Sequence, residues 1–283
     1  MVKLQLKKFN MREMANDSVV VMVGRRRTGK SQLATDALFH HKDFPVGIVI
    51  SGTEKANHYY EKFVPKFFIY DEWTSDTVKK FLNRQEKITN QYNEEIKKYG
   101  KTDIDPRAFI ILDDFLFDNS WVNDKNMRYI AMNGRHLHIF AIICLQYVLG
   151  VPPSFRTNVD YVFIMRENYL ANRRKLYEGF AGMFPSFEVF CSVMDQATEN
   201  YECLVIDNNK KSNKLEEQVY WYKADMHPSF HSCSPEFWDM QAIEDERKRT
   251  GTNIEDDNED DFDMAKIAGR KKNSPVIHVR KQG

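Results

Sequence analysis

The 283-residue sequence predicts an α/β fold, a mainly parallel central sheet flanked by helices. Two observations carry this. Short apolar runs, rich in β-branched residues, recur along the chain and alternate with helix-like segments, the pattern of strands buried on both faces. The conspicuous polar clusters follow these runs directly, and open parallel sheets gather their ligands at the carboxyl ends of strands.

Taken in order, "VVVMV" (Val19 to Val23) is the first such strand, and Ser31 to Phe39 follows it with helix formers. "GIVISGTE" reads as a second strand that ends in small polar residues, and "KFFIYDEW" as a shorter third. From Thr74 to Tyr99 the chain is polar and lysine-rich with sparse apolar positions, either one long exposed helix or a helical pair. "RAFIILDD" is a buried strand ending in two acids, Asn123 to Asn133 is helical, and "HIFAIICLQ" is a buried strand ending in Gln146. The prolines of "PPSFRTN" mark a loop. "VDYVFIMRE" is the next strand, "NYLANRRKLYEGF" and "PSFEVFCSVMDQA" are helices, and "YECLVID" with "QVYWYKA" forms a late strand pair at the sheet edge. Beyond Glu244 the chain is charged and poor in apolar residues, so 244–283 reads as a disordered tail. The predicted domain spans 1–243, with its core at about 9–207 and an extension over 208–243.

Composition narrows the function classes. Lysine and arginine total 41, as do aspartate and glutamate, so the chain is not a globally basic nucleic-acid binder. A local ring or loop of phosphate contacts is still compatible with this balance. No apolar stretch approaches 18 residues, which argues against membrane insertion, and the start of the chain lacks a signal core or lipidation motif. The four cysteines are scattered without a CxxC pair and read as buried reduced thiols rather than zinc ligands.

The sharpest motif is Gly24-Arg25-Arg26-Arg27-Thr28-Gly29-Lys30-Ser31, which fits GxxxxGK[ST], the Walker A phosphate loop, with a strand before it and a helix after it. Glycines let the backbone turn its N–H groups inward around a phosphate chain, and the helix N-terminus adds a positive dipole end. Lys30 is placed to reach the β- and γ-phosphates of ATP, and the Ser31 hydroxyl to ligate Mg²⁺. Such loops work with an acid at the end of a neighbouring strand. Asp113 fills that place for Mg²⁺, through water. Asp114 stands where a carboxylate orients the attacking water, although an Asp reaches less far than the more usual Glu. Gln146 would stand beside the loop if its strand neighbours the first, and there sense the γ-phosphate. The fold is then a P-loop NTPase of the RecA/ASCE type. A guanine-specifying NKxD is missing, since "NNKKSN" lacks the aspartate.

These elements together resemble the FtsK–HerA superfamily of P-loop ATPases, and most closely the A32-like genome-packaging ATPases of nucleocytoplasmic large DNA viruses. The resemblance rests on "FNMREM…VVVMVGRRRTGKS", "IVISGTEKAN", "FIILDD", "NGRHLHIFAIICLQY" and "VPPSFRTNVDYVFIMRE", and covers roughly Phe9 to Asp207. It implies a homo-oligomeric ring that pumps double-stranded DNA into a preformed capsid, without regard to sequence. It further implies capsid or inner-membrane portal partners and a location in the host cytoplasm, at the viral factory, or in the virion. The superfamily also implies an arginine acting on the neighbour's ATP. Arg135 in "NGRH" and Arg156 in "SFRTN" are the candidates, each expected near the sheet's active edge, with a surface or salt-bridging role as the alternative. Arg25, Arg26 and Arg27 raise the potential for a triphosphate; they are either solvated or interfacial, or one of them acts in cis on the γ-phosphate. The lysines of Lys79 to Lys101 and the run Arg173, Arg174, Lys175 are candidate DNA contacts or solvated helix faces. A nucleotide-switched virion assembly factor and a small-molecule P-loop kinase are the rival readings.

Overall fold

The computed structural model describes residues 4–114, 120–147 and 151–250. Its strands are β1 (Lys7–Lys8), β2 (Val19–Val23), β3 (Gly47–Ser51), β4 (Ile69–Tyr70), β5 (Ala108–Asp113), β6 (Ile139–Leu145), β7 (Tyr161–Ile164), β8 (Glu202–Asp207) and β9 (Val219–Lys223). The helices are α1 (Lys30–His40), α2 (Glu54–Asn57), α3 (Ser75–Tyr99), α4 (Ser120–Asn123), α5 (Lys125–Asn133), α6 (Pro153–Arg156), α7 (Leu170–Phe180), α8 (Phe187–Ala197), α9 (Leu215–Gln218) and α10 (Pro235–Thr250).

The described strands form one sheet in the order β1-β9-β8-β7-β2-β6-β5-β3-β4. β8 runs against β7 and β9, and the other pairings are parallel. Every residue of β2, β3, β5, β6 and β7 is buried, which is why these strands are apolar throughout instead of alternating. Gly47 opens β3 because the ring of Phe109, its neighbour on β5, occupies the space a Cβ would take.

The Thr74–Tyr99 segment is one helix of 25 residues, not a pair. Its start is fixed by Thr74, whose side chain accepts from the Thr77 amide at 3.0 Å, and its end by Gly100 in the left-handed region at φ +70°. Buried Gln85 ties this helix to the sheet by donating to the Pro106 and Leu137 carbonyls, both at 2.9 Å. The late strand pair forms as expected, but not at the edge: β1 pairs in parallel with β9 and covers it. Two lysines give no apolar pattern, so this strand exists only through its partner. The expected tail boundary also moves, because α10 continues through Thr250; the remainder of that tail lies outside the described residues. All four cysteines are free thiols, with Cys191 only half-buried. Among the described residues, no helix is long and apolar enough to cross a membrane.

Candidate phosphate and metal site

The parallel strands β2, β3, β5 and β6 all deliver their carboxyl ends to one edge of the sheet, and the site is built there. The Gly24 amide donates to the Leu145 carbonyl at 2.9 Å, which fixes the loop after β2 against the end of β6. A Cβ on Gly24 would lie 2.5 Å from Met165 Cβ and 2.7 Å from Thr28 Oγ1, so only glycine passes here. Gly29 turns at φ +94° and hands the chain into α1. Arg27 also adopts positive φ, +63°, a strained state for a side chain of its size. Thr28 Oγ1 donates to the Arg25 carbonyl at 2.7 Å and closes the loop from within.

Lys30 is buried, and its Nζ donates to the Gly24 carbonyl at 2.6 Å and the Arg25 carbonyl at 3.0 Å. The ammonium is therefore held inside the loop, beside the N-terminus of α1, whose dipole end favours negative charge. Arg25, Arg26 and Arg27 are exposed, and the Arg25 guanidinium lies 5.1 Å from the ring centre of Tyr169.

Ser31 Oγ donates to Asp113 Oδ2 at 2.7 Å. A hydroxyl and a carboxylate side by side are hard oxygen donors, the set that suits Mg²⁺, so these residues fit the metal expected from the sequence. Asp114 follows at φ +50° and accepts at Oδ1 from Gln146 Nε2 at 2.6 Å. Because β6 neighbours β2, Gln146 does stand beside the loop, but its described partner is Asp114.

Sequence reasoning missed Tyr60. Its hydroxyl donates to the same Asp113 oxygen at 2.7 Å, and it is fully buried. Burial pushes the phenol well above its ordinary value, so it remains a donor. Buried Glu54 holds Tyr60 in place by accepting from the amides of Tyr60 (2.8 Å) and Glu61 (3.1 Å). Its own carboxyl is raised by the same burial. The only signal for this arm is the polar end of "GIVISGTE"; Tyr60 itself sits in a short 3-10 turn with no motif.

The arginine candidates are not where they were expected. Arg135 pairs with Asp160 Oδ1 at 2.7 Å, and Asp160 Oδ2 accepts the amide of Val19 at 2.8 Å. Val19 opens β2, whereas the phosphate loop follows its last residue, so Arg135 lies at the amino edge of the sheet. Arg156 ends α6 on the approach to the start of β7, which is the same amino edge. The expectation of an active-edge position is corrected for both, because each precedes a strand that runs parallel to β2. Arg173 is buried against the Glu167 carbonyl and Asp195, at 2.6 Å each, and is therefore a fold-stabilising residue rather than a nucleic-acid contact. The lysines of α3 keep to its exposed face.

No family model matches the chain. It is similar to the uncharacterized protein L437 of Acanthamoeba polyphaga mimivirus, 36% identical over 239 residues that make up 84% of this chain and 83% of that one. The uncharacterized protein 075L of Invertebrate iridescent virus 6 is 38% identical over 208 residues, 73% of this chain and 77% of the relative. Among solved structures, the genome packaging NTPase B204 of Sulfolobus turreted icosahedral virus 2, in complex with AMP, superposes with a TM-score of 0.51 at 19% identity and covers 75% of this chain and 100% of its own. EssC (ATPases 2 and 3) of Geobacillus thermodenitrificans gives a TM-score of 0.51 at 15% identity, over 83% of this chain and 44% of its own. At these identities the structural likeness is one of fold, that of the P-loop NTPases.

Proposed function

We propose that this chain, which belongs with L437 and 075L to one family of large-DNA-virus proteins, is an A32-like member of the FtsK–HerA superfamily and the ATP-hydrolysing motor that packages double-stranded viral DNA into preformed capsids. One observation carries the reading. The phosphate-loop hydroxyl of Ser31 and the strand-end carboxylate of Asp113 touch at 2.7 Å, with Lys30 inside the same loop and Asp114 next in the chain. The genome packaging NTPase of the same fold supports the DNA-packaging side.

In this reading Lys30 exchanges its two carbonyl partners for phosphate oxygens, and the loop amides take the rest of the chain of phosphates. Ser31 and Asp113 are the residues that would hold Mg²⁺, which would supply charge neutralisation at the phosphates. Asp114 orients a water in line with the γ-phosphorus. The water oxygen bonds to phosphorus as the bridge to ADP breaks, and the water proton passes toward the Asp114 carboxylate. Gln146 fixes that carboxylate, so the loop leading out of β6 is linked through Asp114 to whether the γ-phosphate is present. DNA would be held through its phosphates, with salt-sensitive and sequence-indifferent affinity. A ring of copies supplies the charge clamp from a neighbouring subunit. Arg135 and Arg156 remain the residues to test for that role, now as groups that reach across from the amino edge.

The test is ATP turnover with and without long duplex DNA at low salt, beside Lys30→Ala and Asp113→Ala. Stimulation by duplex that is lost in both variants supports the motor. Turnover indifferent to DNA but dependent on a small acceptor would point to a kinase, and assembly without turnover to a nucleotide switch.

A further inference from the structure

We propose that Asp36, His40 and His227 form a zinc site that fastens the helix behind the phosphate loop to the chain leaving β9. Asp36 and His40 are one helical turn apart on α1 and share a face. His227 is brought in by the segment after β9, and one ligand atom of each of the three lies within 4.8 Å of the other two. His227 Nε2 lies 2.5 Å and His40 Nε2 3.5 Å from the same oxygen, Asp36 Oδ1. Ligand atoms bonded at about 2.0–2.1 Å around a tetrahedral zinc stand roughly 3.3 Å apart. His40 Nε2 already stands near that spacing from Asp36 Oδ1, and His227 Nε2 moves out from its hydrogen-bond distance to seat the ion.

The surroundings suit a metal ligand. The Asp36 carboxylate is fully buried. Its other oxygen, Oδ2, accepts from the Tyr222 hydroxyl at 2.7 Å and the Asp225 amide at 3.2 Å, which leaves Oδ1 to face the imidazoles. That is the outer support a monodentate carboxylate ligand needs. Phe39 stacks on the His227 ring with centroids 3.7 Å apart and planes at 9°, which fixes the plane of the imidazole. Two imidazoles and one carboxylate are a donor set for zinc, whereas Mg²⁺ and Ca²⁺ prefer oxygen alone. Coordination takes the Nε2 lone pair of each ring, with the proton of each imidazole on Nδ1, and the divalent charge offsets the buried carboxylate. The same segment already lies along α1, where Gln32 donates to the Asp225 carbonyl at 3.1 Å. The site is separate from the acids of the phosphate loop and does not depend on the motor reading.

The test is a zinc titration of the metal-stripped full chain against a chromophoric chelator, read together with the melting temperature. One zinc per chain and a rise in melting temperature are expected. His40→Gln and His227→Gln should each weaken binding at least about 10-fold, in line with the loss of metal-site contacts. His231→Gln, a nearby ring stacked on Trp238, should leave binding unchanged. Co²⁺ should give visible ligand-field bands in the unaltered protein that His227→Gln removes, a readout that does not depend on how stable the variants are. Absence of uptake by the unaltered chain, or an affinity in His40→Gln and His227→Gln unchanged from that of the unaltered chain, would overturn the proposal and leave the cluster a histidine–carboxylate hydrogen-bond knot.

Discussion

At the residue scale, Asp113 is the hinge of the site because two hydroxyls converge on one of its oxygens. Ser31 and Tyr60 both donate at 2.7 Å, and they come from different segments of the chain. Tyr60→Phe keeps the ring but removes one donor from a buried carboxylate. A hydrogen bond to a charged acceptor is worth about 1.5–3 kcal/mol, so urea unfolding should show a loss in that range, and the Mg²⁺ concentration for half-maximal turnover should change. An unchanged midpoint and an unchanged Mg²⁺ requirement would remove Tyr60 from the account. Gly24→Ala acts differently, through a clash with Met165 and Thr28. It should weaken binding of a fluorescent ATP analogue by about 10-fold or more, because a loop shift of a few tenths of an ångström misplaces several amides together. The candidate residues split by legibility. The convergence of Lys30, Ser31 and Asp113 at one sheet edge is readable because a fixed spacing or a strand end marks them. Tyr60 and Glu54 were not, because their roles come from a turn that only the folded sheet brings under Asp113.

At the element scale, buried polar side chains help to anchor α3 and the end of α1. Gln85 on α3 serves the carbonyls that precede β5 and β6, so Gln85→Leu strands two buried acceptors. Each unsatisfied group costs about 1–3 kcal/mol, and denaturant unfolding should show a loss of about 2–6 kcal/mol with the sheet itself intact. At the end of α1, His41 packs on Phe140, donates from Nδ1 to Asn16 Oδ1 at 2.8 Å, and is lowered to about 4 by burial. A depressed folded-state value means that the unfolded chain takes up the proton first. The stability contributed by His41 is thus present above its ordinary value of 6.5 and is lost as pH falls toward about 4. Melting temperature should fall across that window, and His41→Phe should flatten the slope. A slope unchanged in the variant would assign acid sensitivity elsewhere. The long strands and α3 were legible because burial on both faces and a Thr–Gly pair of caps write themselves into the sequence. β1, two residues long, carries no periodic signal and forms because β9 offers an open edge, whereas the two residues of β4 lie within the short strand read from "KFFIYDEW". The reversal of β8 was visible only as a strand pair, since alternation does not encode direction.

At the scale of the whole molecule, the parallel order around β2 brings the carboxyl ends of β2, β3, β5 and β6 to one sheet edge, where the candidate phosphate site is built. That much followed from the order of apolar runs and motifs. The positions of Arg135 and Arg156 did not, because an arginine before a strand and one after it look alike in sequence yet lie at opposite ends of the sheet. The account therefore predicts that Arg135→Ala disturbs the pair with Asp160 in every subunit. If Arg135 also serves the neighbouring site, adding the variant to unaltered subunits should depress turnover more than in proportion to its share. The most direct test of the motor itself is displacement of a third strand from a long duplex. With Mg²⁺ and ATP the unaltered chain should strip the third strand, whereas Lys30→Ala, Asp114→Asn and a non-hydrolysable analogue should leave it bound. ATP consumed on duplex DNA with the third strand still in place would contradict translocation.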